Sequence, residues 1–182
     1  MTVKEVVMLA AEELGISAEI KEYYEEGVTA GKMKADRLLT CFNLVENELA
    51  LDYFSLKKSE IIASNGQITF SSLKNSPVNI ISVTDAENNP YEFALYANYI
   101  QTVSGAVKVT YSYTPNMKTI DDESDFSGEI SARLMSYGIA AEYSLEVGAF
   151  EDAAVWDKKY KDAISVWYKR SKGGRMPSRR WA

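Results

Sequence analysis

Apolar residues recur near the start at Val3, Val6, Val7, Ala10 and Leu14, with Gly15 behind them. Steps of three and four place them on one stripe, which predicts an amphipathic helix stopped by the glycine. Ser17 is placed to cap a second, shorter helix through Ile20 and Tyr24, with Gly27 as its stop. A longer helix is predicted from about Lys32, because Leu38, Phe42, Val45, Leu49 and Tyr53 keep one face apolar. Cys41 lies at the edge of that face.

The period changes between Glu60 and Pro115. Only Glu60, Lys74, Asp85, Glu87, Glu92 and Lys108 are charged there, and Val, Ile, Thr and Tyr abound, as half-buried strands prefer. In "AVKVTYSY" Val107, Val109, Tyr111 and Tyr113 alternate with Lys108, Thr110 and Ser112, the period of a strand with one buried face. Tyr91, Phe93 and Leu95 alternate in the same way. Asn65-Gly66 is a two-residue hairpin signal, and "ENNPY" and "SGA" read as further turns, so four to six short antiparallel strands are expected.

Helical spacing returns with Phe126, Ile130, Leu134, Gly138, Ala141 and Leu145. The acids Asp121, Asp122, Glu123 and Asp125 are expected at the start of that helix. Gly148 interrupts the pattern, and a last helix carries Trp156, Tyr160, Ala163 and Trp167 on one stripe; the short break implies an antiparallel helix pair. The whole reads as α+β: a helical bundle of residues 1–58 and 116–172, made of N-terminal helices and a C-terminal αα-hairpin, with a small antiparallel β lobe, 59–115, inserted. Residues 173–182 form a basic, flexible arm.

Composition narrows the chemistry. No apolar run approaches the roughly 20 residues that span a bilayer, and the N-terminal stretch carries carboxylates within it, so neither a membrane span nor a signal peptide is expected. The chain has no histidine, which removes histidine-based nucleophile activation and histidine-ligated zinc. Cys41 is the single cysteine and reads as a buried structural thiol. The glycines form no phosphate-binding spacing. Among the acids, the cluster at 121–125 is the most tempting metal site. Anions at a helix start, each worth about 0.3–1 kcal/mol to the helix, explain it more simply. The expectation is therefore no enzyme, no metal and no cofactor.

Charge is distributed unevenly. The formal net charge is −6, yet Lys169, Arg170, Lys172, Arg175, Arg179 and Arg180 crowd the last stretch without a carboxylate among them. Trp181 stands in the same stretch, and an indole left in water forgoes about 1.5–3 kcal/mol of possible burial. Arginine and tryptophan dominate protein–protein hot spots, so Arg175, Arg179, Arg180 and Trp181 are the candidate partner-binding residues, facing a different protein or a neighbouring subunit.

The order of elements, the stretch "YGIAAEYSLEVGAFEDAAVWDKKYKDAI" and the terminal "MPSRRW" resemble the head–tail connector, or adaptor, proteins of tailed bacteriophages. That resemblance implies a structural virion protein, assembled in the host cytoplasm and located in the neck. Copies would form a ring, usually twelvefold, beneath the portal protein and offer a surface to tail proteins, with DNA only as passing cargo. It implies that Arg175, Arg179, Arg180 and Trp181 face the portal. An acidic body agrees with DNA passing without sticking, because phosphate affinity comes mainly from Lys and Arg. Two rival readings remain: a nucleic-acid-binding module acting through the basic segment, and a carboxylate-metal hydrolase built on Asp121, Asp122 or Asp125.

Overall fold

Thr2 opens the first helix, α1 (Val3–Glu13), by accepting the Glu5 N–H at 3.1 Å, and Val3, Val6, Val7, Ala10 and Ala11 are buried along it. These details come from a computed structural model that describes residues 1–128 and 130–171, with side chains of 1–128 and 130–169. Helix α2 (Ser17–Glu26) ends on Gly27 in the left-handed conformation, φ 73°, as its sequence suggests. Its start differs from expectation. Ser17 is the first helical residue, Ile16 occupies the cap position, and no side chain caps it. Helix α3 (Lys32–Glu48) stops short of the predicted end, because Leu49–Tyr53 winds into a wider π turn in which Phe54 N–H bonds to the Leu49 carbonyl at 2.6 Å.

The described residues divide into two units: Met1–Val45 with the residues from Lys118 onward, and Glu46–Met117. The sequence pattern had set the lobe at 59–115.

The second unit is built on four antiparallel strands: β1 (Leu56–Thr69), β2 (Pro77–Thr84), β3 (Ala94–Leu95) and β4 (Tyr99–Tyr113). Strand β4 lies between β1 and β2 and also pairs with β3. Val107, Val109 and Tyr111 are buried on one face, as their alternation predicts, with Ile68, Leu73, Val83 and Ile100 in the same cluster. Tyr91 and Phe93 pack on this cluster too, but from a stretch that is not strand; of the predicted strand around them only Ala94–Leu95 pairs, and Leu95 is exposed.

Two turn expectations fail in one place. Asn65-Gly66 and Ser104-Gly105-Ala106 lie inside long strands, where Ser64 pairs with Gly105 and Asn65 with Ser104. The register shifts just beyond, between Asn65 and Gln67, so that Gly66, at φ 101°, opposes both Thr102 and Val103. The glycine serves a bulge and not a hairpin.

In the first unit α4 (Ala132–Glu146) packs against α1 and against α5 (Phe150–Ser171). A β-carbon on Gly138 would stand 2.9 Å from Val45 Cγ1 and 3.0 Å from Tyr160 Cε2, so the missing side chain is what lets α3 and α5 approach α4. Ala153, Tyr160 and Ile164 are buried along α5, while Trp156, Ala163 and Trp167 are half-buried. The fold class is α+β: five helices and one four-stranded antiparallel sheet among the described residues.

Candidate functional site

The acidic stretch at 121–125 was expected at a helix start. It precedes the helix instead: α4 begins at Ala132, capped by Ser131, whose hydroxyl accepts the Leu134 N–H at 3.2 Å. The acids sit in a strap laid against the first residues of the chain. Thr2 bridges Glu123, Val3 N–H bonds to the Asp122 carbonyl at 2.9 Å, and Ser124 N–H bonds to the Met1 carbonyl at 3.2 Å.

Within the strap two carboxylates are already engaged. Asp122 Oδ2 accepts the Thr119 N–H at 2.6 Å and the Thr119 hydroxyl at 2.8 Å, which holds its carboxyl below the usual aspartate range. Lys118 Nζ meets Asp125 Oδ1 at 2.6 Å. Among the described residues no group of three or more His, Cys, Asp or Glu is placed to hold a metal ion. The strap joins chain segments; its charge belongs to turn chemistry rather than to a helix dipole.

Cys41 is buried, and its thiol is pushed up to about 12, first by burial and then by Glu146 and Glu142. Its sulfur lies 3.9 Å from Glu146 Oε2, whose other oxygen is 3.2 Å from Arg37 Nε. Because the thiolate is the reactive form, a thiol held protonated in this way is a poor nucleophile at neutral pH.

The predicted partner-binding residues Arg175, Arg179, Arg180 and Trp181 lie outside the described residues. What the structure adds is a surface that the sequence pattern hid. At the corner between α4 and α5, Leu145 is 48% exposed, Val147 46% and Phe150 70%. Leu145 had been assigned to the buried stripe of its helix. The corner is tightly held: Val147 N–H bonds to Tyr143 O at 3.1 Å, Gly148 N–H to Leu145 O at 3.1 Å and Ala149 N–H to Ser144 O at 2.8 Å. These bonds turn the chain between two helices and leave the three apolar side chains outside. Gly148, Ala149, Phe150, Glu151 and Asp152 line a shallow concavity of about 350 Å³ there. The available signal was "LEVGAF", three large apolar residues around a glycine, where a solvated helix corner would carry polar ones.

Farther along α5, Trp156 stacks on Tyr137 with ring centroids 5.9 Å apart, and Lys159 Nζ sits 3.8 Å from the Trp156 centroid. This cation–π stack ties a residue of α4 to two of α5. No family model matches the chain, and no curated protein matches it.

Proposed function

We propose that this chain is a structural assembly protein of the head–tail connector kind, in which copies associate into a ring beneath a portal protein and join it to tail proteins. In this reading the helices from both ends of the chain act as one bundle, with α4 and α5 as its αα-hairpin and the sheet unit as an inserted lobe that meets a neighbour or the tail. Arg175, Arg179, Arg180 and Trp181 belong to the arm that docks on a protein partner.

The observation that carries the reading is the exposed apolar corner of Leu145, Val147 and Phe150, held rigid by backbone hydrogen bonds. Three large apolar side chains exposed within six residues at one helix corner suit an interaction surface better than a solvated turn. Charge supports it as well. Of the 20 basic residues, Lys172, Arg175, Arg179 and Arg180 lie after residue 171 and none of the 26 acids does, so residues 1–171 carry 16 − 26 = −10. Such a body repels DNA that passes it.

The test is electron microscopy and co-sedimentation of the protein mixed with its cognate portal. A ring seated on the portal is the expected result. Absence of any complex at micromolar concentrations would overturn the proposal.

A further inference from the structure

The same reading leaves open what the arm docks on. We infer that the α4–α5 corner is the receptor for residues 179–181 of a neighbouring copy, with Trp181 laid on Phe150 in the concavity and Arg179 and Arg180 beside Glu151 and Asp152. This rests on the chain being an assembling protein, and it names the contact between copies.

Three observations lead to it. Phe150 lines the concavity with Gly148 and Ala149, Leu145 and Val147 are exposed on the same turn, and the backbone hydrogen bonds of that turn preorganise it, which lowers the ordering cost of binding. The acids beside it complement the arm: Glu151 and Asp152 are exposed and make no ion pair among the described residues, while Lys172–Ala182 holds four basic side chains and no acidic one.

The third observation is reach. Helix α5 has 22 residues, about 33 Å at 1.5 Å per residue. Trp181 follows Ser171 by ten residues, about 33–36 Å at full extension. To touch Phe150 of its own copy the segment would have to double back along most of the helix in a largely extended form, an ordering that costs a glycine-containing stretch more chain entropy than most. A neighbour's corner carries no such restriction. Arm and receptor are different surfaces, so each copy can give its arm to one neighbour and receive an arm from the other, the head-to-tail contact from which rings are built.

Complementation tests this with full-length chains. An arm variant carries Arg179→Ala, Arg180→Ala and Trp181→Ser; a corner variant carries Phe150→Ser, Glu151→Gln and Asp152→Asn. All the altered corner side chains are exposed, and circular dichroism checks that both variants fold. In sedimentation velocity at low salt the wild-type chain is expected to self-associate and each variant alone to stay monomeric. An equimolar mixture should form a one-to-one species, because one chain supplies the arm and the other the corner. Raising salt should weaken that species about tenfold or more.

A wild-type chain that stays monomeric up to about 1 mM, a concentration at which even contacts of −4 kcal/mol are half-formed, overturns the inference. So does an arm variant that associates like wild type, or a mixture that fails to pair while wild type associates. Portal binding is read separately. A chain that seats on the portal without arm-dependent pairing sinks the arm–corner contact alone; intact complementation with no portal binding sinks the connector reading and leaves the contact standing.

Discussion

The side-chain amide of Asn43 takes the place of a strand for Lys118, accepting its N–H at 2.6 Å and donating to its carbonyl at 3.1 Å. The second amide hydrogen goes to the Leu39 carbonyl of the same helix at 3.0 Å. Asn43 is 7% exposed, and it fastens the backbone just after the sheet unit ends to the helix that precedes that unit. A neutral amide is needed here, because the group must accept from one backbone atom and donate to two others.

Replacing Asn43 by Ala is expected to destabilise the helical unit by about 1–3 kcal/mol, since the half-buried Lys118 backbone loses both of these partners. Asn43→Asp should be no rescue, because a carboxylate would face two carbonyl oxygens. Urea unfolding followed by far-UV circular dichroism checks both. A loss below 0.5 kcal/mol (about the scatter of surface substitutions) would contradict the clamp.

Gly138→Ala separates packing from helix propensity. Alanine improves the intrinsic helix by up to about 1 kcal/mol. Its methyl would press on Val45 and Tyr160, and overpacking costs typically about 1–3 kcal/mol. The net expectation is a lower melting temperature, partly restored by adding Val45→Ala. An unchanged or raised melting temperature would show that α5 yields freely.

Tyr111 donates its hydroxyl to Glu60 Oε1 at 2.7 Å from the next strand. Burial first, and then this bond, push the phenol up from 10.0 to about 12. The folded state therefore holds that proton more tightly than the unfolded chain. The stabilisation is complete below pH 10 and is lost as pH rises toward 12. Tyr111→Phe should flatten the alkaline decline in stability relative to wild type, read as the difference between the two urea midpoints at pH 9 and pH 11. Parallel declines would mean that Tyr111 is not responsible.

Cys41 should resist thiol reagents in the folded protein. With its thiol raised to about 12 by burial and nearby Glu146 and Glu142, the thiolate is nearly absent at pH 8, and reactivity follows the thiolate. Labelling with a disulfide reagent at pH 8 should be slower by about a hundredfold or more than in denaturant. Labelling at the denatured rate would place the thiol at the surface.

What the sequence determined by itself is the local periodicity. The stripes of Val3–Ala10 and of Leu38–Val45, and the alternation of Val107, Val109 and Tyr111, name buried faces correctly, because burial of side chains three, four or two apart needs only neighbours along the chain. Tertiary pairing decided the rest. Asn65-Gly66 and Ser104-Gly105 each favour a turn alone, but they face one another across β1 and β4, and a ladder that satisfies their backbone groups replaces two turns with one bulge. The acids at 121–125 suit a helix start until Thr2, Val3 and Ser124 bind the strap to the beginning of the chain. The corner of Leu145, Val147 and Phe150 reads as core by composition, but the hydrogen-bonded turn between α4 and α5 leaves it exposed. Contacts between residues far apart in the chain carry no local pattern, so the strap could not be read before the fold; at the corner "LEVGAF" showed the composition but not the exposure.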